Sequence, residues 1–310
     1  MRTVTTLFFC CTFSMIWAFQ AVPALKILKD FDNVRDFTMD TSQSEAYVTA
    51  QSNVGEKSVI LKVSKENGQW QKVSIPSFSG VYSDLEPFLS PDNLKLYFVS
   101  NRPIHPDSTN VKDMDIWYVE RPSISKPWSE PKNIGAPINT EHNEFYPSVA
   151  SNGNLYYTTD NPKSVGEDDI FMSAYTDGNY SEPVGLKGGV NTNSYEYNAF
   201  ISPNENYLIF GGYGREDGLG SGDLYISFRN SDNNWTNAAN LGDKINSKYM
   251  DYCPFVTQSG DVLYFTSRRT NIDGSSTIAS VEDLLKIFNS YQNGFSRIYK
   301  MPFQLNEYKN

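Results

Sequence analysis

Four acidic residues recur at matched positions along the chain: Asp84, Glu144, Glu196 and Asp251. Each stands three residues before the Pro or Ala of a short apolar segment (Pro87, Pro147, Ala199, Pro254). Asn139, Asn191 and Asn246 precede the last three acids by five residues. Arg102, Arg268 and Arg269 follow later apolar segments of the same units and could pair with the acids. Carboxylates gathered on one rim create a negative potential suited to a cation, a cationic peptide or sugar hydroxyls. Two or three of them in unlike environments could serve as the acid and base of a glycoside hydrolase. The structural alternative is that each acid accepts backbone N–H groups of a loop while Asn supports the turn. Recurrence in nearly every unit favours that alternative, because reacting groups usually break a repeat and structural devices keep it.

Other chemistries find less support. Asp115, Asp169 and Asp223 open strand-like segments and read as turn caps. Asp113-Met114-Asp115 and Glu167-Asp168-Asp169 could offer oxygens to Ca²⁺, but neither forms the spaced ligand loop of an EF-hand, so no cofactor is expected and Ca²⁺ is the one ion considered. His105 and His142, the only two histidines, have no evident nucleophile or acid beside them, and no Gly-x-Ser-x-Gly elbow is present. Gly211 to Gly222 is glycine-rich without the Lys-Ser/Thr of a phosphate loop, which suggests a flexible binding loop instead. Cys253 lies in an apolar run and reads as a small buried residue.

The elements that must position these residues repeat. Leu96-Tyr97-Phe98, Leu155-Tyr156-Tyr157, Leu208-Ile209-Phe210 and Leu263-Tyr264-Phe265 each follow a polar turn, and a short strand precedes each turn. A third strand starts at Asp115, Asp169 and Asp223, with Val59-Ile60-Leu61 and Arg297-Ile298-Tyr299 as variants. A fourth is expected at Trp70, Trp128, Tyr180 and Trp235. Four antiparallel strands at a period of roughly 50–60 residues make an all-β propeller. Five blades are expected, with six the alternative, near 37–83, 84–143, 144–195, 196–250 and 251–310. The last blade lacks a fourth strand, which Leu25 to Lys29, within a closing segment 25–31, is expected to supply.

Ser90-Pro91-Asp92-Asn93-Leu94-Lys95-Leu96-Tyr97-Phe98-Val99-Ser100-Asn101-Arg102 resembles the WD40-like propeller repeat (PD40) of TolB-type proteins, and Gln258 to Arg268 repeats it. The resemblance implies the propeller fold. Its functional implication is broad, since such propellers serve as interaction platforms, as peptidase domains and as carbohydrate-active modules. Gly211-Gly212 departs from the pattern in blade 4.

Composition and the termini set the remaining expectations. Arg2 followed by the apolar run Leu7 to Phe19 and by Val22-Pro23-Ala24 reads as an export signal cut after Ala24. The run falls short of the roughly 20 residues a membrane span needs. Removal of residues 1–24 takes away Arg2, Cys10 and Cys11, which shifts the net charge from −10 to −11 and leaves Cys253 as the sole cysteine, so no internal disulfide is expected. An acidic chain of this kind is a poor nucleic-acid or anionic-membrane binder. A monomer exported to the periplasm or beyond is expected, without stable membrane insertion. The insertion 270–294 in blade 5 should carry a helix at about 281–291, capped by Ser280 and Asp283, packed on one propeller face as a lid or partner surface. The expected function is a non-catalytic platform for a protein or glycan, with a carbohydrate-active enzyme using the rim acids as the alternative.

Overall fold

The computed structural model describes residues 20–105, 113–275 and 277–309. The expected export signal therefore lies almost wholly outside the described residues. The rest is a five-bladed β-propeller. Blade 1 consists of Asn33–Met39, Glu45–Gln51, Ser58–Glu66 and Gln69–Ser74. Blade 2 consists of Asp84–Leu89, Lys95–Ser100, Asp115–Glu120 and Lys132–Asn133. Blade 3 uses Glu144–Val149, Leu155–Thr159, Asp169–Ser173 and Val184–Gly185. Blade 4 uses Tyr195–Ile201, Tyr207–Tyr213, Asp223–Phe228 and Ala239–Asn240. Blade 5 combines Asp251–Val256, Val262–Ser267 and Arg297–Pro302 with Val22–Pro23 from the start of the chain.

That last pairing corrects the expected closure. Val22 pairs with Lys300 and Pro23 with Tyr299, and the Ala24 N–H donates to the Ile298 carbonyl at 2.9 Å. Lys26–Leu28, expected as the strand, is a short 3₁₀ turn that buries Leu28. The closing strand thus lies inside the segment that a cut after Ala24 would remove. A chain beginning at Gln20 should therefore melt several degrees above one beginning at Leu25, which leaves the edge of Arg297–Pro302 unpaired. Equal melting temperatures by differential scanning calorimetry would contradict the closure.

The first strand of blade 1 begins at Asn33 rather than near 37; its fourth strand holds Trp70 as expected, whereas the fourth strands of blades 2, 3 and 4 begin later than Trp128, Tyr180 and Trp235 suggested. Pro131 and Pro183 have no N–H for a ladder, so pairing starts just after them. Two of the aromatics expected to open fourth strands pack between blades, Trp235 while also bridging Arg229. Trp128 Nε1 donates to Tyr47 Oη at 2.8 Å, and Trp235 meets Tyr156 edge-on with ring centroids 6.3 Å apart.

Innermost strands run toward a face of tight hairpin turns, here the turn face. The opposite loop face carries the inter-blade connections and the longer loops between second and third strands. The blade 5 insertion emerges there. Its helix α1 (Val281–Phe288) has the expected cap, with Ser280 Oγ accepting from the Asp283 N–H at 3.0 Å. Contrary to the expected packing on a propeller face, its apolar side is open: Val281, Leu285 and Phe288 are more than half exposed. Tyr291 anchors the insertion, donating to the Ile298 carbonyl at 2.8 Å. Among the described residues, no helix is long and apolar enough to cross a membrane.

Candidate functional site

The four repeated acids start the innermost strands at the loop face, but each is buried between blades, and none lines the channel cavity there. Each accepts the backbone N–H four residues upstream: Gly80 to Asp84, Thr140 to Glu144, Thr192 to Glu196 and Ser247 to Asp251, at 2.6–3.2 Å. The acid thereby closes the inter-blade loop on itself. An arginine caps three of these locks: Arg102 on Asp84 (2.5 Å), Arg215 on Glu196 (2.8 Å) and Arg269 on Asp251 (2.8 Å). The expected Arg268 is displaced by its neighbour; its own N–H pairs with the Met250 carbonyl. Arg215 was not foreseen, because Gly211-Gly212 hides the Ser-x-Arg step visible at Ser100-Arg102 and Ser267-Arg269. Each guanidinium lies over two aromatics of its own blade, as Arg269 does over Phe265 (5.1 Å) and Tyr299 (4.9 Å).

Asn139, Asn191 and Asn246 act as a strand would. Their amides accept from and donate to the main chain of Ile116, Ile170 and Leu224 at 2.8–3.0 Å. Asp169 and Asp223 cap turns, accepting from the N–H groups of Val165 and Leu219. Among the described residues, no cluster of three His, Cys, Asp or Glu side chains could hold a metal ion.

A different set faces the channel. Two residues beyond each acid position, the innermost strand carries a β-bulge whose residue has positive φ: Asp36 (61°), Glu86 (56°), Tyr146 (47°), Asn198 (52°) and Cys253 (50°). Such a conformation costs a non-glycine residue on the order of 1–3 kcal/mol, and it interrupts the alternation of the strand. The device recurs in all five blades, whereas its five side chains all differ.

These side chains meet around the axis. Arg35 Nε donates to Asp36 at 2.7 Å and its Nη2 to Glu86 Oε1 at 2.8 Å. The Cys253 thiol donates to Asp36 Oδ1 at 2.9 Å. The other Glu86 oxygen accepts the Tyr146 N–H at 2.7 Å. In blades 1, 2 and 4 the bulge N–H instead meets a threonine hydroxyl of the preceding blade: Thr266, Thr49 and Thr158. Blade 2 has Val99 at that position, so the Glu86 carboxylate supplies the missing acceptor. Tyr146 reaches across the channel to donate to the Pro254 carbonyl at 3.2 Å, forming a floor.

One cation serves two buried carboxylates here. Burial, opposed by Arg35 and reinforced by Asp36, pushes Glu86 up to about 7. Burial and Asp36 push the Cys253 thiol up, so it stays protonated and donating. Asp168 is raised by burial and by Asp160, Glu167 and Asp169.

Above this cluster the loop face opens into a cavity of about 300 Å³ lined by Arg35, Glu86, Phe145, Asp168, Tyr197, Asn198 and Tyr252, among others. Two buried polar atoms have no partner among the described residues: Tyr197 Oη, of a residue on this lining, and Asp36 Oδ2, beneath Arg35 and off it. The glycine-rich segment explains the position of Tyr197. A Cβ on Gly211 would stand 2.5 Å from its ring, and one on Gly222 would stand 2.6 Å from its hydroxyl. These glycines make room for a tyrosine; they do not form a phosphate cradle. The ring of acids expected at this mouth is thus replaced by the bulge residues, which lay unnoticed because no residue type repeats among them.

No family model matches the chain. No curated protein matches it significantly. Solved structures do. A glycoside hydrolase has 10% identity over 93% of this chain and 91% of its own length, with a TM-score of 0.56. The α-L-arabinofuranosidase PaAbf62A from Podospora anserina, in complex with cellotriose, has 12% identity over 92% and 96%, with a TM-score of 0.53. A TolB-like protein from Agrobacterium tumefaciens has 12% identity over 88% and 91%, with a TM-score of 0.49. At such identities the likeness carries the propeller fold and nothing finer.

Proposed function

We propose that the protein is an exported glycan-binding propeller whose ligand enters the channel from the loop face. The observation that carries this reading is the unpartnered hydroxyl of Tyr197 at a cavity whose walls include Phe145, Tyr197 and Tyr252. Sugars suit such a place, offering hydroxyls to fixed polar atoms and flat C–H faces to rings. An exposed tyrosine pair, Tyr195 and Tyr213, stands two residues along the strand from Tyr197 with ring centroids 5.9 Å apart, a platform for a neighbouring sugar unit. The same fold accommodates cellotriose in the Podospora anserina enzyme.

Binding is favoured over hydrolysis because both oxygens of Glu86 already accept from protein donors, while Asp36 lies beneath Arg35 and off the cavity lining. The carbohydrate-active alternative rests on one feature: burial pushes the Glu86 carboxyl up to about 7, toward the range a general acid uses.

An oligosaccharide array followed by calorimetry on the best ligand separates these readings. Tyr197→Phe should weaken binding about tenfold with an unchanged melting temperature, because the hydroxyl has no hydrogen bond among the described residues to lose. Glycan binding equal to wild type in that variant, or none on the array, would reject the assignment. Turnover abolished by Glu86→Gln in a folded protein would establish the enzyme.

A further inference from the structure

The other end of the channel holds a separate cavity of about 340 Å³ at the turn face. Two residues beyond the bulge, the five blades carry Thr38, Phe88, Ser148, Phe200 and Phe255. The three phenylalanines meet across the axis, Phe88 to Phe200 at 6.4 Å and Phe200 to Phe255 at 5.6 Å, and they floor the cavity. The two small residues spend their hydroxyls on the next blade, accepting the N–H groups of Leu89 and Ile201 at 3.1 and 2.9 Å. Five rings would have filled the channel; three rings and two small side chains leave space above an apolar floor.

The walls are equally telling. Among the described residues, Asp40 is the one charged residue on the lining, and both of its oxygens accept from Ser42, Ser44 and the Glu45 N–H. No Lys or Arg among them lines the cavity. Gln43 and Gln258 stand exposed on turns at the rim, where they can meet one polar atom of a ligand. The Tyr146 bridge to Pro254 and the phenylalanine floor separate this cavity from the loop-face mouth.

We propose that the turn face carries a second binding site, for a neutral aromatic small molecule of about the size of indole. An apolar protein cavity of about 150 Å³ takes up benzene, so one roughly twice as large suits a fused pair of rings. Edge-to-face contacts with Phe88, Phe200 and Phe255 favour an aromatic occupant over an aliphatic one. A lining without a cation disfavours an anion, since its charge would be desolvated without a partner. The tight turns hold the walls in place before binding, which reduces the ordering cost.

The test is titration of 5-fluoroindole into the purified protein, followed by fluorine NMR. Saturable one-site binding is expected. Phe200→Leu should weaken it at least fivefold, Tyr197→Phe at the opposite mouth should leave it unchanged, and the anion indole-3-acetate should bind at least tenfold more weakly. Should Phe200→Leu fail to fold by circular dichroism, Phe255→Leu and the cavity-filling Val149→Phe replace it, with the same loss expected. No saturable binding by the folded wild type, equal affinity in the floor variants, or loss in Tyr197→Phe would overturn the proposal.

Discussion

Replacing Asp84 with alanine is expected to cost the fold about 3–5 kcal/mol, the range for breaking a buried ion pair by removing one partner. Four donors lose their acceptor at once: Arg102 Nη2, Ser100 Oγ, Ser79 Oγ and the Gly80 N–H. Arg102 then remains between blades with the Phe78 carbonyl and Ser100 for company. In a domain of this size that loss should lower the melting temperature by on the order of 10 °C. Asp251→Ala should behave alike, since Arg269 and Ser247 repeat the arrangement. Calorimetry decides the matter. A rim of ligand-binding acids would give the opposite pattern, with affinity lost and stability kept.

The legibility of these features in the sequence follows from how each is built. The blades were readable because a hairpin needs apolar residues around a polar turn, and a Leu followed by two large apolar or aromatic residues recurs in the second strands of blades 2 to 5. The acid locks were readable as a pattern, since one loop geometry needs one acceptor at one spacing. Their location was not, because an acid at the start of an inner strand can face the channel or the neighbouring blade, and the bulge two residues later decides which. That bulge moves the channel-facing residue off the two-residue alternation that a strand otherwise keeps. Asp36, Glu86, Tyr146, Asn198 and Cys253 share no chemistry, so they give no repeat to find; counting two residues onward from each acid would have located four of them. The closing strand escaped for another reason. Val22–Pro23 is two residues long and pairs with a segment nearly the whole chain away, so it carries no local periodicity.

Stability should fall as pH rises from about 5 to about 8, and most of that fall should vanish in Glu86→Gln. Glu86 has an ordinary value of 4.5 and is pushed up to about 7 in the folded protein by burial and by Asp36, against the pull of Arg35. Between those two values the folded state holds a proton that the unfolded chain has released. The unfolding free energy therefore decreases with pH across this window, fully favourable below 4.5 and lost through about 7. A shift of that size corresponds to about 3 kcal/mol. Asp168, also raised, adds a slope of the same sign, while Arg35 stays charged and Cys253 protonated throughout. In Glu86→Gln the amide oxygen can still accept the Tyr146 N–H, Arg35 keeps Asp36, and the titrating group is gone. Denaturant melts at half-unit pH steps should show the wild-type slope and a much flatter variant. A variant as steep as wild type would place the proton elsewhere in the channel cluster. The same titration bears on the proposed glycan: a neutral Glu86 below pH 7 leaves Arg35 and Asp36 as an ion pair beside the cavity, and its ionisation adds one further negative charge. Affinity for a neutral sugar should then change little across pH 7, whereas a hydrolase using Glu86 as its acid would lose turnover above it.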